Sequence, residues 1–261
     1  FVEKTKAFIK ENKTSPFFLF YGATEPHVPR MPATLFKGKS GLGYRGDAIL
    51  QLDWLVGEIV KEVETAGITK NTIIIFSSDN GPVLDDGYID GAVTELNGHT
   101  PLGVLRGGKY SAFEGGTRIP FIISWPGKTQ NKVSPALVSQ MDFLASFAKM
   151  FKISIPVGDA IDSENHLDAL MGKTSAGRNV FVEQAGSLSI INGDWKYIYP
   201  SAGAAVLALT QIESGKLSTA QLYNLKDDIG EKNNLADKYP DKVKELETLL
   251  KTIKEKCKRI E

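Results

Sequence analysis

The chain is poor in cysteine and histidine, carries no surplus of either charge and lacks a long apolar run. A single cysteine, Cys257, excludes an intramolecular disulfide framework and a cysteine-rich zinc site, and leaves the redox compartment undecided. Lysine plus arginine equal aspartate plus glutamate at 31 each, so nothing in the net charge favours wrapping a nucleic acid, and any anion is met locally. No stretch approaches the roughly 18 apolar residues of a membrane-spanning helix. There is no internal repeat and no low-complexity tract. The first residue is Phe1 rather than an initiator methionine, and it falls inside an amphipathic pattern, from which a portion of a longer protein is expected.

What is present is globular: 42% hydrophobic and 24% charged residues in a 261-residue chain, enough for one large or two smaller domains. Residues 1–12 place Val2, Thr5, Phe8 and Ile9 on one side of a helix. After the break at Lys13-Thr14-Ser15-Pro16, residues 17–21 form a continuous apolar run of strand length, suited to burial on both faces. Residues 47–66 carry Ile49, Leu52, Val56, Ile59, Val60 and Val63 at helical spacing, with Gly67 placed to stop the helix. A second strand is expected over 72–77, a third over 120–125 and a helix over 142–151. Strand, helix and strand in that order predict a parallel crossover in an α/β sheet, with ligands gathering beyond the carboxyl ends of the strands, near 21–30 and 78–81.

Between residues 157 and 177 the texture changes to scattered glycine in polar sequence, which predicts a first unit over 1–170 and a small α+β unit over 171–261. The second unit should hold an antiparallel sheet from 179–183, 188–191 and 195–199, with Asn192-Gly193-Asp194 as a hairpin turn. It should close with a helix from Pro240 to about Ile260, striped by Val243, Leu246, Leu249, Leu250, Ile253, Cys257 and Ile260.

Four segments could carry chemistry. Ser78-Asp79-Asn80-Gly81-Pro82 follows a strand, where a carboxylate and an amide oxygen could converge on a hard cation; the same residues are also turn formers. His27, held between Pro26 and Pro29, is either a stiffly presented proton donor or a surface histidine. Leu105-Arg106-Gly107-Gly108-Lys109 sets two cations around a glycine pair, which allows close approach to an anion or forms an exposed loop. Glu114-Gly115-Gly116-Thr117-Arg118 reads as architecture, its glycines supporting a strained turn and its charges pairing locally.

Taken together and in order, Pro26-His27-Val28-Pro29, Gly46-Asp47 opening a helix with Asp53 and Val56-Gly57, Ser78-Asp79-Asn80-Gly81, Leu105 to Lys109, Phe113 to Pro120 and Trp125-Pro126-Gly127 resemble the type I sulfatases of the alkaline-phosphatase-like superfamily. The tail, with Gln221-Leu222-Tyr223-Asn224-Leu225, Asp228, Glu231, Asn234-Leu235-Ala236 and Tyr239-Pro240, resembles the segment leading to the last helix of arylsulfatases.

The resemblance implies an alkaline-phosphatase-like α/β fold, a sulfated small molecule or glycan as substrate, and export from the cytoplasm. It implies that Asp79 and Asn80 are calcium ligands, that Lys109 touches the sulfate group, and that His27 contacts the ester oxygen. A cation, an ammonium group and an acid together offset the charge that develops as an S–O bond breaks. The formylglycine nucleophile of such enzymes arises from a Cys/Ser-x-Pro-x-Arg sequence, which this chain lacks; Ser154-Ile155-Pro156-Val157-Gly158 has no arginine, and Cys257 reads as a packed helix residue. The family's paired aspartates, its other lysine and its other histidine are missing too, so half of the site and the nucleophile are expected upstream of Phe1, and the chain alone should be inactive. Two rivals are a phosphate or phosphonate ester hydrolase of the same superfamily and a non-catalytic module that binds sulfated glycans or serves assembly. The loop 83–99, with Asp85, Asp86, Asp90, Glu95 and His99, is either substrate-facing, with His99 as its candidate binding residue, or a solvated acidic loop.

Overall fold

The structure is a computed structural model that describes residues 1–256; Cys257 and Ile260 of the expected stripe lie outside the described residues. The first helix, α1 (Val2–Asn12), buries Ile9 and packs on α2 (Gly43–Thr65), where Lys6 Nζ meets Glu58 Oε2 at 2.7 Å. Helix α2 begins four residues before the expected start at Asp47. Asp47 does not open the helix; its buried carboxylate accepts the backbone N–H groups of Gly38 (2.7 Å) and Ser40 (2.9 Å), folding the preceding loop over the first turn. Burial raises the pKa of that carboxyl group, yet the backbone donors outweigh it and hold the group below the usual aspartate value. The helix ends as its sequence predicts. Gly67, at φ +75°, donates to Glu64 O and Ile68 donates to Val63 O, the paired bonds of a left-handed glycine stop.

Strands β1 (Ile74–Ser77) and β2 (Phe121–Ser124) lie where apolar runs predict them, but they pair antiparallel, with Ile74 opposite Ser124 and Ser77 opposite Phe121. The parallel crossover from 17–21 does not form. That segment takes no regular secondary structure, no described residue pairs with it as a strand, and Phe18 and Phe20 are each 83% exposed. An apolar run becomes a strand only where a neighbour accepts its backbone bonds. Phe17 instead packs edge-on against Phe8 of α1, with ring centroids 5.6 Å apart. Between β1 and β2 lies the one-turn helix α3 (Glu114–Thr117), and α4 (Asp142–Phe151) follows at the expected bounds. A short helix, α5 (Leu167–Leu170), leads to the second sheet.

That sheet is antiparallel in the order β3 (Val180–Gln184), β4 (Leu188–Asn192), β5 (Trp195–Ile198) and β6 (Gln221–Asn224). Asn192 pairs with Trp195 across the turn, where Gly193 takes φ +59°. Helix α6 (Pro240–Lys256) covers the sheet. Ile190, Tyr197, Leu222, Leu246 and Leu250 are sealed between them, each contributing roughly 1.5–3 kcal/mol of burial energy. Among the described residues no helix is long and apolar enough to cross a membrane.

Buried charge joins the sheet to the segment around α3. Lys196 on β5 is fully buried, with Nζ 2.8 Å from Glu114 Oε1 and 3.4 Å from both Glu183 Oε2 and Glu231 Oε1. Glu114 turns its other oxygen to Arg118 Nε at 2.6 Å. Three carboxylates around one lysine leave Glu231 as the group that yields: burial lifts its pKa to about 7, against the pull of Lys196. Replacing Lys196 with methionine should destabilise the fold by about 3–5 kcal/mol in denaturant titrations, because the carboxylates lose their common counter-charge.

The sign for Glu231 follows from linkage. Its folded pKa lies above the usual 4.5, so the folded state holds the proton that the unfolded state releases. Its contribution is complete below pH 4.5 and is lost toward pH 7, at up to about 1.4 kcal/mol per pH unit. Glu231→Gln should remove that decline, and unfolding curves collected across the interval check it.

Candidate active site

The Asp79 loop leaves β1 and is fixed by backbone-to-backbone contacts that only glycine permits. Gly81 N–H donates to Gly116 O at 2.9 Å, and a Cβ on Gly81 would stand 1.7 Å from Gly115 O. Gly115 N–H donates to Arg106 O at 2.7 Å, and a Cβ on Gly116 would meet Ser111 O at 2.2 Å. Gly115 and Gly116 lie in α3 without positive φ, so they serve close approach rather than the strained turn expected of them. The strain lies nearby: Gly107 and Gly108 take φ +89° and +146°, and Tyr110 takes φ +75°, which costs an aromatic residue on the order of 1–2 kcal/mol.

These contacts carry Lys109 to the loop, because its N–H donates to Pro82 O at 2.9 Å. Its ammonium group lies 2.9 Å from His27 Nε2 and 3.7 Å from Asp86 Oδ2. His27 Nδ1 is 2.8 Å from Val28 O, a carbonyl that can only accept, so Nδ1 carries the hydrogen and Nε2 receives one from the ammonium group. Lys109 and His27, expected to act together, are therefore in direct contact. Arg106, the other cation of that segment, is spent on structure: it forms a two-bond pair with Glu213 at 2.8 and 2.5 Å, donates to Glu231 O and covers the Phe113 ring.

Asp79 is exposed and has no hydrogen-bond or ion-pair partner among the described residues. Asn80 donates from Nδ2 to Gly81 O at 2.9 Å, which leaves its Oδ1 free. Two hard oxygen donors from adjacent residues suit calcium or magnesium, but calcium takes about 6–8 oxygens, so these residues fit as part of a site. No group of three or more His, Cys, Asp or Glu side chains able to hold a metal occurs among the described residues. His99 is not brought to the pair; it is exposed on a turn whose Asn97 donates to Gly41 O, and its ring has no partner among the described residues.

Sequence reasoning missed Arg30 as a clamp. It is 3% exposed and donates to Pro26 O (3.2 Å), Leu84 O (3.1 Å), Val83 O (2.8 Å) and Asp90 Oδ2 (2.7 Å), tying the His27 loop to the 83–90 segment. Of the acidic residues in that segment, Asp90 is structural, Asp85 caps Gly87 N–H, and Asp86 faces Lys109. Arg30 and Asp90 are 60 residues apart, so no local spacing could mark them.

Residues 1–153 match the sulfatase family. The chain belongs to that family. Over 253 residues it is 51% identical to an N-acetylgalactosamine-6-O-sulfatase of Bacteroides thetaiotaomicron, covering 96% of this chain and 50% of the relative. Bovine arylsulfatase A (Bos taurus) is 28% identical over 87% of this chain and 46% of its own. A solved 6S-sulfatase structure, described with the metabolism of multiple glycosaminoglycans by Bacteroides thetaiotaomicron, superposes with a TM-score of 0.95 at 50% identity, over 97% of this chain and 53% of that one. The chain therefore shares the sulfatase fold and spans about half the length of these relatives.

The glycine contacts make the sulfatase loop testable apart from chemistry. Gly81→Ala drives a Cβ into a carbonyl and should lower the melting temperature by several degrees, in line with about 1–3 kcal/mol of overpacking. Gly57→Ala, where a Cβ meets nothing within 4 Å on an exposed turn of α2, should instead stabilise by about 0.5–1 kcal/mol. Calorimetry of both variants checks the pair.

Proposed function

We propose that the protein is a sulfuric ester hydrolase and that this chain supplies the sulfate-binding lysine, a proton-handling histidine and two of its cation ligands. The observation that carries this reading is the 2.9 Å contact of Lys109 Nζ with His27 Nε2, anchored through Pro82 to the loop that presents Asp79 and Asn80. The relative at 51% identity is named for 6-O-sulfated N-acetylgalactosamine, which favours the 6-sulfate of an amino sugar as substrate.

In the proposed reaction water replaces the sugar oxygen on sulfur, the S–O bond breaks with its electron pair going to that oxygen, and the oxygen takes up a proton. Lys109 binds sulfate oxygens as a compact charge. His27 Nε2, which accepts from the ammonium group while the ring is neutral, is the atom that would take up a proton from solvent and pass it to the departing oxygen; Nδ1, fixed on Val28 O, keeps the ring oriented. Asp79 and Asn80 would hold calcium, which when bound lowers the cost of charge on the sulfate oxygens. The nucleophile, formylglycine in this reading, comes from outside residues 1–261, where no Cys/Ser-x-Pro-x-Arg sequence occurs.

Two measurements test it. In the protein containing this chain, Lys109→Ala should lower kcat on 6-O-sulfated N-acetylgalactosamine by about 10²–10³ with the melting temperature kept. The 261-residue chain alone should release no measurable sulfate from 4-nitrophenyl sulfate. An undiminished rate in the variant, or robust turnover by the isolated chain, sinks the reading.

A further inference from the structure

Among the described non-glycine residues at positive φ, Tyr110 has the largest angle, +75°, and is the one aromatic. Its Cβ crowds the backbone in that conformation, which glycine or asparagine would adopt with less strain. The chain on either side leaves no freedom to relax. Lys109 N–H donates to Pro82 O at 2.9 Å, Ser111 N–H to Gly108 O at 3.0 Å and Ala112 N–H to Ser214 O at 3.0 Å.

Packing does not offset the strain. Ala112 and Phe113, just downstream, are sealed in a buried cluster with Ile198 and Tyr223, whereas Tyr110 is 46% exposed. Its ring pairs with no other ring, and its hydroxyl has no hydrogen-bond partner among the described residues. A strained residue held by its surroundings, with its side chain left open, points to a ligand rather than to the core.

The charged group over that ring is the ammonium of Lys109, 5.1 Å from the ring centroid. Around the same ammonium, His27 Nε2 stands at 2.9 Å and Asp86 Oδ2 at 3.7 Å. A carboxylate repels a sulfate, so the Asp86 side of the lysine is closed to the ester, while the Tyr110 side carries no charge. A sulfate bound there brings whatever the ester carries to the face of the ring. In a galacto-configured sugar the axial 4-hydroxyl leaves the C–H bonds of carbons 3, 4 and 5 together on one face, beside the carbon that bears a 6-sulfate. Their slightly positive hydrogens suit the negative face of an aromatic ring.

We propose that Tyr110 is a substrate-binding residue, the platform on which the apolar face of the sugar lies while Lys109 holds its sulfate. This rests on the sulfatase reading above and deepens it, because it names the part of the substrate that the strained residue meets. The tyrosine is kept in an unfavourable backbone conformation so that its ring stands beside the ammonium group.

The test compares wild type, Y110F, Y110N and Y110G in the protein containing this chain, on 6-O-sulfated N-acetylgalactosamine and on inorganic sulfate. KM for the sugar is read from sulfate release, or its Kd by calorimetry where no sulfate is released; inorganic sulfate is titrated by calorimetry. Y110N and Y110G remove the ring but suit the left-handed backbone, so their melting temperatures should not fall. Both should weaken the sugar about tenfold in KM or Kd. Any turnover should keep kcat within about threefold, because a contact with the sugar face is the same before and during S–O cleavage. Y110F keeps the ring and should stay within about threefold of wild type. Inorganic sulfate has no sugar face and should bind every variant within about twofold of wild type.

Unchanged sugar binding in Y110N and Y110G overturns the proposal, as does a wild type that binds no sulfated sugar. So does an equal weakening of sugar and inorganic sulfate, which would mean that Tyr110 only positions Lys109. Were both ringless variants to fail to fold, proton NMR of the sugar with wild type decides: the protons on carbons 3 to 5 should move upfield on binding, and unshifted protons overturn the proposal. Sulfate release is scored separately. A ring-dependent gain in sugar binding without turnover sinks the proposed activity and leaves the platform standing, whereas turnover that Y110N leaves unchanged does the reverse.

Discussion

Glu114 is a carboxylate that cannot be left alone. At 2% exposure it needs compensation that no sequence neighbour fully supplies: Arg118, one helical turn on, takes one oxygen, and Lys196, 82 residues away on β5, takes the other. That second bond fixes where α3 stands relative to the four-stranded sheet. Gly115 and Gly116 follow directly, and their carbonyls and N–H groups receive Gly81 and Arg106. From there the constraint runs to Asp79 and Asn80 along the chain, and to Lys109 through the Pro82 carbonyl. The site residues are thus placed by backbone contacts, and these are held in turn by one buried ion pair. A glycine contact transmits position well because no rotamer lies between the two backbones.

Burying several carboxylates around one lysine is costly, and the arrangement tolerates it through unequal protonation. Glu114 remains ionised because Lys196 and Arg118 both favour its charge, while Glu231, raised to about 7, is the one that accepts a proton. Its Oε2 nonetheless accepts from the Glu114 N–H at 2.6 Å, so a single side chain both closes the cluster and satisfies a free backbone donor at the start of α3. Arg106 couples the same corner to Glu213 and to the Glu231 carbonyl. The segment from Glu213 to Glu231 is therefore part of what supports Lys109, even though it contributes no side chain that touches it.

What the sequence made legible were features whose causes are local. The helix over 142–151 was readable from period and bounds, the stop at Gly67 from its φ requirement, and the hairpin from Asn192-Gly193-Asp194. The resemblance to type I sulfatases, rather than local spacing, singled out Lys109 and His27, which the fold brings into contact. Pairing direction was not legible, because an apolar run looks the same in a parallel and an antiparallel sheet; β1 and β2 are antiparallel, and 17–21 has no strand neighbour among the described residues. Distant charge pairs were equally hidden. Glu114 with Arg118 follows helical spacing, whereas Glu114 with Lys196 and Arg30 with Asp90 exist only once the chain is folded.

The structure separates polar groups met by protein partners from polar groups that have none among the described residues. Arg30, Arg106, Glu114, Asp142 and Lys196 have their charges met by protein partners, and each such group would be expensive to leave unmet. Asp79 and Asn80 Oδ1 are different in kind, since their free oxygens sit on a loop whose backbone is fixed from both sides. Loops fixed by the protein's own contacts need no ligand to order them, so in the proposed reading the energy of binding a cation or an anion is not consumed in ordering them. Preorganisation of this sort is what electrostatic stabilisation of a departing ester oxygen demands, because the charges must already be in place when the bond breaks. The contacts that set Lys109 against His27 all lie within this chain, so the geometry of that pair is a property of these residues.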